Sequence, residues 1–154
     1  MIIDTHCHID RFPNPLALAE QCEVASVLTV AVTNIPSHYE MAVKHLDRMQ
    51  FVRPALGFHP LAAADNLHEL PMFESLLRTT DFVGEIGLDY SSQGIGFKDT
   101  QIKAFRSIVG WLSKSPKFVT LHTRKSASDV LAVLMEIGVS DAVFHWYSDS
   151  AVAL

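Results

Sequence analysis

His6 and His8 stand two positions apart in Asp4-Thr5-His6-Cys7-His8-Ile9-Asp10, a stretch that follows the apolar opening Met1-Ile2-Ile3. In an extended strand this spacing projects both imidazoles from one face and turns Cys7 to the other. Paired imidazoles are donors suited to zinc, manganese, iron or nickel. The remaining donors are sought downstream: His59 in Gly57-Phe58-His59-Pro60, Glu85 in Gly84-Glu85-Ile86-Gly87, His122 in Leu121-His122-Thr123-Arg124, and His145 in Phe144-His145. Counting ligands suggests two divalent ions. His6, His8 and one oxygen of Glu85 would hold the first; the other oxygen of Glu85, His122 and His145 would hold the second. A carboxylate bridging two ions sets them close enough to share a water and deliver hydroxide at neutral pH, the chemistry of phosphoryl or acyl hydrolysis.

The elements that must position these residues follow in strict alternation. The first strand covers Asp4 to Asp10, and Asn14-Pro15 reads as an N-cap with proline at the first helical position, opening a helix to about Val24. Residues 26–32 are apolar on both faces, as in a covered parallel strand. Ser37 with Glu40 reads as a capping box for a helix to about Met49. A strand over 51–57 ends at Phe58-His59-Pro60. Pro71 opens a helix to about Thr80, and residues 81–87 form the fourth strand, with Glu85 near its end. A helix over 99–113 and a strand over 117–122 come next. Ser126 and Asp129 then cap a helix that Gly138 stops, ahead of a short strand over 142–145.

Such alternation implies a parallel sheet with right-handed crossovers, in a doubly wound sheet or a TIM-type (β/α)8 barrel. His6, His8, His59, Glu85, His122 and His145 then all fall near carboxyl ends of strands, the rim where such folds collect ligands. Strands begin about 24 to 35 residues apart, so eight units need near the ~250 residues of a full barrel, and these 154 supply six. One α/β domain over residues 1–154, incomplete at its C-terminal end, is expected. An unclosed barrel exposes two edge strands, inviting a protein partner or self-association.

Composition narrows the classes. At 49% hydrophobic residues the chain can bury a substantial core, and its net charge of -5 speaks against a broad basic face for nucleic acid. Divalent ions in a pocket would nevertheless draw phosphate. Two cysteines, Cys7 and Cys22, are too few for a disulfide framework and suit reduced thiols filling apolar space. With no leader-like start and no run near the ~18 apolar residues of a membrane span, a cytoplasmic location without membrane contact is the default.

Read together and in order, Asp4-Thr5-His6-Cys7-His8-Ile9-Asp10, Gly57-Phe58-His59-Pro60, Gly84-Glu85-Ile86-Gly87-Leu88-Asp89-Tyr90, Leu121-His122-Thr123-Arg124 and Phe144-His145-Trp146-Tyr147-Ser148 resemble the signatures of the TatD-like metal-dependent deoxyribonucleases of the amidohydrolase superfamily. The resemblance implies a TIM barrel and a divalent-metal phosphodiesterase acting on DNA, often as a 3′-to-5′ exonuclease, with magnesium, manganese or zinc. It implies His6, His8, Glu85, His122 and His145 as metal ligands and His59 near the scissile phosphate. The family's eighth strand supplies an aspartate that these 154 residues do not include, so the first site would be a ligand short. Trp146-Tyr147-Ser148-Asp149 stands where the family more usually has a small residue followed by Phe-Ser-Gly. Asp149 is expected as a solvated helix-start residue, and alternatively as a stand-in carboxylate.

Of the supporting residues, Arg124 offers a planar fork to a phosphate, completing a catalytic set with His59 and Glu85, and Lys125 adds charge. Asp89 and Tyr90 are placed to orient a ligand, stack on a base or cap the long loop. Lys98, Lys103 and Arg106 are expected solvated on an outer helix, and His38, His45 and His68 lie away from the rim. Two further readings keep the ligand set. One is hydrolysis of a small amide, ester or phosphoester. The other is a partner-dependent or inactive subunit of a multi-protein system, of which anti-phage defence is one setting that the resemblance suggests.

Overall fold

The structure, a computed structural model, describes residues 1–148, so Asp149 lies outside the described residues. Six strands form one parallel sheet in sequence order: β1 (Ile2–Cys7), β2 (Val27–Val32), β3 (Val52–Phe58), β4 (Phe82–Asp89), β5 (Phe118–Arg124) and β6 (Ala142–Tyr147). Helices α1 (Pro15–Val24), α2 (Pro36–Leu46), α3 (Ala63–Asn66), α4 (Leu70–Leu76), α5 (Lys98–Leu112) and α6 (Ala127–Ile137) fill the crossovers. Sequential order without a reversal is the topology of a barrel, not of a doubly wound sheet. The sheet curls far enough for His6 on β1 to stack on His145 of β6, ring centroids 3.4 Å apart. It is therefore an incomplete (β/α)8 barrel in which, among the described residues, β1 and β6 are each paired on one side only.

Apolar periodicity explains the packing. Residues Gln101, Ala104, Phe105, Ile108, Val109 and Leu112 make the buried stripe of α5, spaced three and four apart. All but Gln101 join Leu56, Phe58, Phe73, Ile86, Leu88 and Leu121 in the main core. A smaller cluster, Ile9, Ala19, Ala31, Leu46 and Val52, seats α1 and α2, with both free cysteines packed against it. Burial pushes the Cys7 thiol up to about 11, which suits a filler rather than a nucleophile.

Several local expectations need correction. β1 stops at Cys7, and Ile9–Arg11 is a 3-10 turn, so His8 lies just past the strand. β4 runs on to Asp89, which places Glu85 in mid-strand, not at its end. The β3 to β4 connection, expected to be helical only from Pro71, is helical in short pieces from Pro60 to Thr79. The Asn14 cap forms as expected, its Oδ1 accepting from the Ala17 N–H at 3.1 Å, and Gly138 ends α6 with a left-handed φ of 83°. Neither capping box forms. Ser37 gives its N–H and hydroxyl to the buried Glu69 (2.9 and 3.0 Å). Ser126 Oγ donates to the Leu88 carbonyl at 2.7 Å.

A histidine and carboxylate cluster at the barrel rim

Glu85 is the centre of the site. Gly84 precedes it because a Cβ there would lie 2.0 Å from Thr120 Oγ1, and Gly87 follows because, at φ 140°, a Cβ would lie 2.1 Å from the His122 carbonyl oxygen. These two glycines bring β4 against β5 on either side of the carboxylate. Its two oxygens face different strands. Oε1 is 2.5 Å from His122 Nδ1, while Oε2 is 3.0 Å from His8 Nε2, 3.6 Å from His59 Nε2 and 3.9 Å from His6 Nε2. Burial would raise the Glu85 carboxyl, but hydrogen bonds from His122 and His8, with His59 beside them, hold it far below the carboxylate range.

The imidazoles are held individually. His6 Nδ1 lies 3.0 Å from Thr120 Oγ1, so the ring turns Nε2 toward Glu85. His59 Nδ1 accepts the Leu61 N–H at 3.1 Å, which leaves Nε2 as the protonated nitrogen of the neutral ring. His122 is bonded at both ends, its Nε2 lying 2.9 Å from Asp89 Oδ2. Burial depresses His6 to about 3 and His59 to about 4, keeping both neutral in ordinary buffers. His122 is raised: burial acts against it, and the two carboxylates outweigh burial.

The donor set fits a divalent cation. His6 Nε2 and His8 Nδ1 are buried side-chain nitrogens without a hydrogen-bond partner, an expensive arrangement unless a ligand supplies one. Ligand atoms of His6, His8 and Glu85 lie within 4.8 Å of one another, as do those of His59, Glu85 and His122. His145 joins neither group; its exposed ring covers His6. Trp146 stacks at 6.1 Å on His122. Arg124 sits half-buried at the end of β5, opposite Asp89 in the sheet register. Its side chain makes no hydrogen bond or ion pair among the described residues. Tyr90, expected to stack on a base or cap a loop, donates its hydroxyl to Asp129 at 2.7 Å. Lys98, expected to be solvated, pairs with Asp129 at 2.8 Å and lies over the Tyr90 ring. Arg106 is exposed on α5, as expected, and pairs there with Glu136.

Residue reasoning from the sequence passed over Thr120 and Gln101, although each carried a signal. Thr120 is two before His122, hence on the same face of β5. Gln101 is an amide in the apolar stripe of α5, where it must find buried partners.

A parallel barrel sheet with imidazoles and a shared carboxylate at its carboxyl rim defines a class, the metal-dependent hydrolases of the (β/α)8 type. Within that class the chain belongs to the TatD family: the profile of the TatD related DNases matches residues 3–154. The uncharacterized metal-dependent hydrolase YabD of Bacillus subtilis is 26% identical over 98% of this chain and 62% of its own length. The deoxyribonuclease TATDN3 of Homo sapiens is 23% identical over 94% of this chain and 60% of its own. The crystal structure of YjjV, a TatD homologue from Escherichia coli, superposes with a TM-score of 0.81 at 22% identity, covering 99% of this chain and 62% of that one. The chain thus spans about six tenths of the length of the curated relatives it matches.

Proposed function

We propose that the chain carries the metal centre of a divalent-metal-dependent phosphodiesterase acting on DNA, in the manner of a 3′-to-5′ exonuclease. The observation that carries this reading is the division of Glu85, with Oε1 toward β5 and Oε2 toward the β1 histidines. One ion would be held by His6, His8 and Glu85 Oε2, and a second by Glu85 Oε1, His122 and His145. Magnesium, manganese or zinc, when bound, supplies Lewis acidity and lowers the pKa of water.

The chain's own residues do the rest. His59, neutral and protonated on Nε2, is a hydrogen-bond donor for a phosphate oxygen. Arg124, uncommitted among the described side chains, offers its fork to the same group. Metal-loaded protein is expected to shorten single-stranded DNA from its 3′ end, with Glu85→Gln lowering the rate by at least about a hundredfold. If the loaded protein, in a full-length context, cleaves neither single- nor double-stranded DNA, the assignment fails. Cleavage of cyclic amides or small phosphoesters in that experiment would transfer it to a small-molecule hydrolase.

A second element of the proposal concerns partners. Ile2, Ile3 and Trp146 on the edge strands are exposed at 69%, 51% and 49%, an apolar surface suited to a protein partner or another copy of the chain. Light scattering of the 154-residue chain is expected to show association, and a stable monomer would remove this element.

A further inference from the structure

Asp89 is the most completely enclosed charged residue of the described chain, with no solvent exposure, yet it is not among the metal-facing donors. Everything around it is built to aim it. Gln101, itself buried in the apolar stripe of α5, accepts the Asp89 N–H at 2.8 Å and donates to the Asp89 carbonyl at 3.0 Å. Its second N–H ties down the Gly94 carbonyl at 2.8 Å, closing the loop over the carboxylate. Asp89 Oδ1 accepts the Ser91 N–H at 2.8 Å, leaving Oδ2 to meet His122 Nε2 at 2.9 Å. A buried amide with three such bonds is a costly choice in a hydrophobic stripe, and its cost is offset only by what it positions.

We infer that the Gln101–Asp89 pair is the positioning device for His122, fixing a proton on Nε2 so that Nδ1, which donates its own proton to Glu85 in the metal-free chain, is the nitrogen that can give its proton up to a metal. This inference rests on the metal-centre reading above for its consequence, though not for its geometry. Asp89 is a positioning residue that acts through His122. A carboxylate behind a ligating imidazole fixes ring orientation and tautomer, and its loss typically weakens metal binding 10- to 100-fold. Because the Ser91 N–H occupies Oδ1, an asparagine at position 89 must give its single oxygen to that donor. Its NH2 then faces His122 Nε2, which is forced to accept, so the ring is left neutral with its one proton on Nδ1, blocking the nitrogen beside Glu85.

The test uses ring-nitrogen NMR of the metal-free chain and zinc competition against a chelator, on wild type, Asp89→Asn, His122→Ala and the double variant. Wild type is expected to show a protected Nε2–H of His122, absent in Asp89→Asn. Asp89→Asn is expected to weaken one zinc about 10- to 100-fold while the other is retained, and the double variant to lose no more than His122→Ala, since the two act as one unit. Asp129→Asn, which breaks the neighbouring Tyr90 and Lys98 contacts, should leave zinc affinity unchanged. An unprotected Nε2–H in wild type, an unaltered one in Asp89→Asn, or additive losses in the double variant would overturn the inference. Wild type that shows the protected proton but binds no zinc would sink the metal-centre reading and leave the positioning role standing. If Asp89→Asn does not fold, Gln101→Met, which removes all three amide bonds, is expected to expose the same proton to exchange and weaken the same zinc.

Discussion

The Thr120 hydroxyl decides which way His6 faces. Nothing else among the described residues bonds the Nδ1 of that ring, and the space the hydroxyl occupies exists because residue 84 is a glycine. Thr120→Val keeps shape and removes the partner, leaving a buried imidazole nitrogen unsatisfied. It is expected to cost about 1–3 kcal/mol in urea unfolding of the metal-free chain. It is also expected to weaken the ion at His6 and His8 about tenfold in chelator competition. An unchanged affinity would mean that His6 is oriented by its stack on His145 instead. At this scale the sequence makes the gathering of His6, His8, His59, Glu85 and His122 legible, because imidazoles and a carboxylate recurring toward the carboxyl ends of parallel strands converge on one rim. It is less legible in their supports. The partner of Thr120 lies 114 residues away in the chain, and no local pattern announces that distance.

At the scale of elements, the alternation of strands and helices is readable from apolar periodicity, and the Asn14 and Gly138 caps from their residue types, whereas the two capping boxes are not. Ser37 and Glu40 have the spacing of a capping box, but tertiary packing delivers the Glu69 carboxylate from the β3 to β4 connection to the start of α2. A buried carboxylate receiving both an N–H and a hydroxyl outcompetes a solvated one. Glu69→Ala should therefore uncap α2 although it lies 32 residues from Ser37. The expected loss is about 1–2 kcal/mol in chemical denaturation, while Glu40→Ala should change stability by less than about 0.5 kcal/mol. The reverse order of effects would restore the local cap. The same reason explains Glu85, whose strand continues past it because Gly87 lets β4 lie close against the His122 backbone.

For the whole molecule, clustered imidazoles and carboxylates make stability of the metal-free chain a function of pH. His6 and His59, depressed to about 3 and about 4, stay neutral while the unfolded chain takes up protons below its histidine value of about 6.5. Stability thus falls as pH drops from about 6.5. Glu85 and Asp89, both held below their ordinary range, steepen that fall at lower pH, since their contribution is lost as pH falls through their folded values. On the other side His122, raised in the fold, contributes fully below about 6.5 and loses that contribution as pH rises through its folded value. Thermal unfolding with chelator present is expected to peak near pH 6.5 and decline in both directions. A flat profile would mean that the cluster does not persist without metal.

Trp146, stacked on His122, is one of only two tryptophans, and the other, Trp111, packs against Phe73 far from the rim. A charged imidazole is an electron acceptor that quenches indole emission, while a neutral one is a weak quencher. The chain therefore carries an optical reporter in contact with its own cluster. The colour and intensity of its fluorescence should register the charge on His122 and on His145, whose ring lies 6.2 Å from the same indole, without any label attached.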